Sequence, residues 1–281
     1  MLTVMFAGQG SQEKGMGVDV FGRYPGLVQF ASDVLGYDLI SLCTEDRNEL
    51  LARTEYTQPA LYVVNALSSF ERIHREDPPA DFYMGHSLGE YNALLAAGVF
   101  DFEMGLRLVA KRGELMAAAS DGGMTAVMNV PPNELLEIFA DEGVDGVDIA
   151  GFNTRSQVVI AATRPVLTLA HACLKDREIR FVPLKVSAPF HSRYMKPAQL
   201  RFAEFLTQFS FAEPTIPVIS NVTGRPYEPG QLPHLLAEQL VMPVRWTESV
   251  GSLLDSDNEM EFIEIGGLVL TQMVYKIKAG V

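Results

Sequence analysis

The residues best suited to chemistry are Gly85-His86-Ser87-Leu88-Gly89, a serine spaced between two glycines. A serine hydroxyl is a weak nucleophile that has to be aimed and activated. The G-x-S-x-G spacing predicts a sharp strand-to-helix turn, with glycines that let the chain bend and the strand and helix pack closely. Such a turn holds the hydroxyl at a helix N-terminus, where free backbone N–H groups can stabilise an oxyanion. A structural turn serine is the plainer alternative. A second glycine-rich turn, Gly8-Gln9-Gly10-Ser11-Gln12, offers either another oxyanion N–H or an ordinary strand-to-helix connection. It is not expected to hold phosphate, because no Gly-Lys-Ser/Thr follows.

The nucleophile needs a base, and the chain has five histidines. His74 lies among charges, His171 sits in a helix beside Lys175 and Asp176, and His234 opens a helix; each reads as a surface residue. His86 is the variable position of the elbow and, pinned beside Ser87, is poorly aimed at its hydroxyl. His191 follows a strand and a proline turn, as a base carried on a loop should. Arg112, next to Lys111, reads on its own as a solvated helix arginine.

The elements that must position these groups come in two patterns. Up to about residue 120, strand-like LTVMFAG and ADFYMGHS alternate with the helix-like PGLVQFASDVLG, PALYVVNALSSFERIHRE, GEYNALLAAG and FEMGLRLVAKRGELMAAA. Alternation of this kind predicts a parallel sheet covered on both faces. The chain then reads TAVMNV, PPNELLEIFADEG, VDIAGFN, QVVIAAT, RPVLTLAHACLKDRE and FVPLKVS, an order of β-α-β-β-α-β with a short turn between the middle strands. That is the ferredoxin-like unit. A small subdomain is therefore expected at 123–186, inserted into a larger α/β domain of 1–122 and 187–281. The larger domain resumes with the strand PVISNV, the helix LPHLLAEQL and the strand EFIEIG.

Bulk properties exclude several classes. A net charge of −13 argues against nucleic acid as a partner. No apolar run is long enough to span a membrane, and MLTVMFAGQG reads as a buried strand rather than a signal segment. Two cysteines, Cys43 and Cys173, give no disulfide framework and point to a reducing cytoplasm. Neither has Cys or His neighbours at metal-ligand spacing, so no zinc site is expected. Any acidic partner would need a local basic patch; Arg180, Lys185, Arg193, Lys196 and Arg201 are candidates, with scattered solubilising charge as the alternative.

FAGQGSQ at 6–12 and GHSLGE at 85–90 together resemble the malonyl-CoA:acyl carrier protein transacylase family. Further matches run down the chain: Thr57-Gln58-Pro59-Ala60, KRGELM at 111–116, the pair Asn153 and Gln157, APFHS at 188–192, SNVTG at 220–224, and QLVMPVRW at 239–246. The resemblance implies a hydrolase-like α/β domain with an inserted ferredoxin-like subdomain, in agreement with the pattern above. SAPFHSRYM and the C-terminal segment look most like the discrete, trans-acting acyltransferases of polyketide synthases, ahead of the fatty-acid enzymes.

Carried onto this sequence, the resemblance implies Ser87 as nucleophile and His191 as base, oriented by the backbone carbonyl of Gln239 rather than by a carboxylate. It implies oxyanion donors at the N–H groups of Gln9 and Leu88, with Gln58 and Asn153 beside the substrate. Arg112 becomes the clamp for the malonyl carboxylate, a role suited to a planar guanidinium. Phe190 resembles the malonyl-type residue, whose ring crowds an α-methyl branch. The implied reaction is ping-pong transfer from malonyl-CoA to the phosphopantetheine thiol of a carrier protein, by a cytoplasmic monomer with no metal or cofactor of its own. One segment departs from the family pattern: Gly266-Gly267-Leu268-Val269 lacks the usual proline and lysine, which puts the rim of the site or the carrier contact in doubt. Two other functions are carried as alternatives. An acyl hydrolase that clears carrier proteins would have no use for Arg112 or Phe190, and a non-catalytic docking module would not need the serine and histidine.

Overall fold

The computed structural model describes residues 1–119 and 121–280. In chain order its strands are β1 (Leu2–Phe6), β2 (Phe82–Gly85), β3 (Gly122–Met128), β4 (Asp148–Thr154), β5 (Gln157–Thr163), β6 (Phe181–Pro183), β7 (Val218–Ile219) and β8 (Glu261–Ile265). The α-helices are α1 (Val18–Phe21), α2 (Pro25–Leu35), α3 (Leu39–Thr44), α4 (Thr54–His74), α5 (Gly89–Ala96), α6 (Phe102–Ala117), α7 (Pro132–Asp141), α8 (Arg164–Asp176), α9 (Lys196–Leu206), α10 (Leu232–Glu238), α11 (Trp246–Ser256) and α12 (Val269–Lys278).

Two sheets result. The first runs β7-β2-β1-β8 with every pair parallel. All five residues of β1 are buried, as expected of a central parallel strand covered on both faces. The second runs β4-β5-β3-β6 with every pair antiparallel, the strand order of a ferredoxin-like unit. Helices α7 and α8 contribute Leu135, Phe139, Leu167 and Leu174 to a core under this second sheet.

Several expected elements differ in extent. The helix read from Pro59 starts five residues earlier, at Thr54, and carries Pro59 inside it. At the sixth helical position Pro59 forgoes one i→i−4 bond, a cost offset by the deeply buried inner face of this 21-residue helix. PVISNV pairs only through Val218 and Ile219, since Ser220–Gly224 folds into a turn closed by Gly224 N–H on Ser220 O at 2.9 Å. FVPLKVS forms strand only over Phe181–Pro183, with one further backbone bond from Leu184 N–H to Met124 O at 2.9 Å.

The sheets are joined beside the catalytic candidates. Val244 donates to Ala150 O at 3.0 Å and accepts from Phe152 N–H at 2.9 Å, so the segment following Gln239 is stitched to β4. Thr247 adds a hydroxyl bond to Phe152 O at 3.0 Å. The pairing of β4 with β5 shifts register between Ile149 and Gly151 and again between Phe152 and Thr154, which curves the strand toward that segment.

Candidate active site

Ser87 sits in the turn between β2 and α5 with φ of +53°, a left-handed backbone that a non-glycine residue adopts only when its surroundings hold it there. The glycines around it are required by close approach. A Cβ on Gly89 would lie 2.0 Å from Phe6 O, and one on Gly85 would lie 2.0 Å from the carbonyl carbon of Gly89. The elbow is thus wedged against the end of β1, where His86 N–H also bonds Phe6 O at 3.1 Å.

His191 stands on the loop before α9, its φ also left-handed at +56°. Its Nδ1 is 2.7 Å from the main-chain oxygen of Gln239, and its Nε2 is 2.7 Å from Ser87 Oγ. A carbonyl can only accept, so the neutral ring carries its proton on Nδ1 and offers the Nε2 lone pair to the serine hydroxyl. Burial, with the Arg112 charge second, holds the His191 pKa down to about 3. The ring is therefore neutral throughout the physiological range.

Arg112 is fully buried and reaches the serine from behind the cavity wall. One of its terminal nitrogens donates to Ser87 Oγ at 2.9 Å and to Gln239 Oε1 at 2.8 Å; the other donates to Gln58 Oε1 at 2.8 Å. Its Nε has no partner among the described residues. Three of five N–H groups are thus occupied, all by neutral oxygens, and no carboxylate forms an ion pair with Arg112 among the described residues. Gln58 is itself held by Gln9 Oε1 at 3.5 Å, and Gln9 by Thr54 Oγ1 at 3.2 Å.

A cavity of about 270 Å³ opens over the serine, with Gln9, Gln58, Ser87, Asn153, Phe190 and His191 among its lining. The main-chain N–H groups of Gln9 and Leu88 have no hydrogen-bond partner among the described residues. The two turns that carry them touch, because a Cβ on Gly8 would lie 2.2 Å from His86 O and 3.8 Å from Leu88 N. Asn153 accepts from His86 Nε2 at 3.3 Å and donates to Gln157 Oε1 at 3.2 Å, forming an amide row along the wall. Two other depressions, about 320 and 860 Å³, lie around α3 and contain no histidine or cysteine to activate a hydroxyl.

The remaining histidines are sorted by contact. His74 and His234 are exposed. His86 packs on Trp246 with ring centroids 5.6 Å apart, turned away from the Ser87 hydroxyl, and burial lowers its pKa to about 4. His171 is not the surface residue expected; it is half-buried, stacked on Phe181 at 4.7 Å and bonded to Thr125 Oγ1 at 2.8 Å, tying α8 to its sheet. Of the basic candidates, Arg193 is engaged by Asp148, which anchors the loop after His191 to β4 and removes Arg193 from any free patch. Where the family pattern has proline and lysine, Gly266 is held at φ +88° against Asn65, Leu268 is exposed, and Val269 lines the cavity with an apolar rim.

The sequence reading missed the layer beneath the serine. Asn221 Oδ1 accepts from Ser87 N–H at 2.6 Å, while its Nδ2 donates to Gly85 O at 2.7 Å. The side chain of Gln239 donates to Ser87 O at 3.0 Å. Both residues meet Glu90, fully buried in the first turn of α5 and bonded also to the Tyr227 hydroxyl. Burial raises the Glu90 carboxyl to about 7. The only sequence signal was a lone charge in an otherwise small, uncharged helix directly after the G-x-S-x-G turn.

Comparison with known proteins gives one family. A model of the acyl transferase domain matches residues 3–276. The polyketide biosynthesis malonyl CoA-acyl carrier protein transacylase BaeC of Bacillus velezensis is 46% identical over 282 residues, covering 99% of this chain and 97% of that protein. The polyketide biosynthesis protein PksE of Bacillus subtilis is also 46% identical over 99% of this chain, but the chain spans only 36% of its length. A crystal structure of malonyl CoA-acyl carrier protein transacylase from Burkholderia pseudomallei superposes with a TM-score of 0.97 at 46% identity, covering 100% of this chain and 99% of that one.

Proposed function

The chain belongs to the acyl transferase family, and from that premise we propose that it carries malonyl from malonyl-CoA, through an ester on Ser87, to the phosphopantetheine thiol of an acyl carrier protein. The observation that carries the reading is the convergence of two groups on one atom. Ser87 Oγ is 2.7 Å from His191 Nε2 and 2.9 Å from an Arg112 nitrogen, joining a nucleophile and base to a buried cation suited to the free carboxylate of malonyl.

In the first half-reaction Ser87 Oγ attacks the thioester carbon as its proton passes to His191 Nε2. Negative charge develops on the carbonyl oxygen, within the reach assigned to the N–H groups of Gln9 and Leu88. The tetrahedral centre collapses, the C–S bond breaks, and His191 returns the proton to coenzyme A sulfur. The second half runs in reverse with the carrier thiol: sulfur loses its proton to His191, the new C–S bond forms, and Oγ leaves as the hydroxyl. The Gln239 carbonyl stabilises the transient imidazolium through Nδ1–H.

The malonyl carboxylate displaces the Gln58 oxygen from Arg112 and takes N–H groups of the guanidinium. It also neutralises the charge that helps to depress His191, so the base strengthens once substrate is seated. Exchange between two thioesters is nearly isoenergetic, so the reading calls for no metal and no cofactor. Phe190 crowds the α-carbon and selects malonyl over branched units. The similarity to BaeC favours a polyketide pathway over fatty-acid synthesis. No helix among the described residues is long and apolar enough to cross a membrane; we place the protein in the cytoplasm as a monomer.

The test is intact-protein mass after brief mixing with malonyl-CoA, followed by addition of a holo carrier protein. A malonyl adduct on wild type, absent from Ser87→Ala and passed to the carrier, is the expected result. An adduct discharged to water without reaching the carrier would make the protein a hydrolase instead.

A further inference from the structure

Glu90 lies one residue beyond the elbow glycine, and its carboxyl is completely enclosed. Three donors converge on it. Oε1 accepts from the Tyr227 hydroxyl at 2.5 Å and from Asn221 N–H at 3.1 Å, and Oε2 accepts from Gln239 Nε2. The orientation of the Gln239 amide is fixed by its other partners. Its oxygen faces Arg112, which can only donate, and its nitrogen faces Ser87 O, which can only accept.

Asn221 and Gln239 are also the two side chains that grip the main chain of Ser87, one at its N–H and the other at its C=O. A residue at φ +53° relaxes unless it is held on both sides. Gln239 further supplies the carbonyl that aims His191. We propose that Glu90 is the positioning residue of the acyl-transfer site, a single carboxyl that fixes Asn221 and Gln239 and through them holds Ser87 in its reactive backbone conformation.

The arrangement needs an acceptor at both oxygens. A protonated Glu90 still provides this, its O–H turned to the Tyr227 oxygen while lone pairs remain for Asn221 and Gln239. Glutamine cannot. Whichever way its amide is turned, the NH2 group confronts either Asn221 N–H or Gln239 Nε2–H, and one brace must let go. Tyr227, by contrast, touches Glu90 but neither brace passes through its hydroxyl, so its removal leaves both grips on Ser87 in place.

The inference rests on Ser87 as the nucleophile, though not on which acyl group it carries. It is tested with a neutral fluorophosphonate probe, which labels an activated serine and makes no use of Arg112. Ser87→Ala gives the blank, and label on that variant would count against the nucleophile rather than against Glu90. Glu90→Gln is expected to label at least tenfold more slowly than wild type, with its far-ultraviolet circular dichroism retained. Its single-turnover malonyl loading should slow by a similar factor, while the half-saturating malonyl-CoA concentration stays within about threefold. Tyr227→Phe is expected to lower Tm yet label within about threefold of wild type. If Glu90→Gln does not fold, Gln239→Met serves instead; it keeps the main-chain carbonyl, removes one brace and should also label at least tenfold more slowly. Wild-type labelling by a folded Glu90→Gln or Gln239→Met variant overturns the proposal. Equal loss in Tyr227→Phe and Glu90→Gln would reduce Glu90 to a structural role.

Discussion

Replacing Arg112 with methionine keeps the apolar stem of the side chain and removes every N–H it offers. In the free protein those groups bond Gln58, Ser87 and Gln239, all through neutral acceptors. A malonyl carboxylate adds two charge-assisted bonds, each worth about 1.5–3 kcal/mol, and gives up one neutral bond worth about 1 kcal/mol. The net loss in Arg112→Met is then roughly 2–5 kcal/mol, or about 30- to 5,000-fold in the second-order rate of malonyl loading. The variant also strips donors from two buried amide oxygens, which harms the site whatever the substrate. Acetyl-CoA, which has no carboxylate, measures that general damage. The assay is single-turnover loading of both thioesters on wild type and variant, followed by mass spectrometry, with the malonyl-to-acetyl ratio as the quantity of interest. The ratio should collapse by at least 30-fold. If both substrates slow equally, Arg112 is only a brace for Ser87 Oγ and the clamp is wrong.

Phe190 is buried against the cavity, and shortening it should open room for one methyl group; Phe190→Ser is expected to shift the preference toward methylmalonyl-CoA by roughly tenfold or more in direct competition. An unchanged preference would remove Phe190 from selectivity. Stability should respond to acid with a defined sign. His86 and His191 are held at about 4 and about 3, below the ordinary 6.5, so the stability they hold above pH 6.5 is lost as pH falls toward those values. Glu90, raised from 4.5 to about 7, works in the opposite direction over 7 to 4.5. Burial lowers His171 as well, so the histidines outweigh the one carboxyl by at least about one net proton, or at least about 1.4 kcal/mol per pH unit between 6.5 and 4.5. Scanning calorimetry across this window should show Tm falling with pH in wild type and falling less steeply in His191→Asn; a level wild-type profile would contradict the buried neutral histidines.

Legibility in the sequence followed locality. The elbow could be read because its requirements are local: two glycines in contact with backbone, a strand before and a helix after. The order of the inserted unit could be read because four strands and two helices alternate with clear periodicity. His191 was found as a loop histidine after a strand, but its partner was out of reach by residue type alone, since a backbone carbonyl leaves no mark at Gln239. Arg112 was misleading for the opposite reason. Beside Lys111 on a helix it reads as solvated, and only the packing of α6 against α4 turns it inward. Glu90, Asn221 and Tyr227 were hidden because a buried polar network is defined by long-range pairing, and no local pattern distinguishes its members from surface residues.

The span of those pairings governs when the protein can act. The proposed nucleophile is at position 87, the cation beside it at 112, its proposed base at 191 and the carbonyl that aims that imidazole at 239. During synthesis the serine is complete long before its base exists, and the base precedes the group that orients it. Contacts of such separation are costly to close and slow the folding of a chain. Without those long-range contacts the serine has neither the imidazole nor the guanidinium beside it, and an unassisted serine hydroxyl is a weak nucleophile. Reactivity on this reading requires all four positions together, and the segment after Gln239, stitched to β4 through Val244, completes the set.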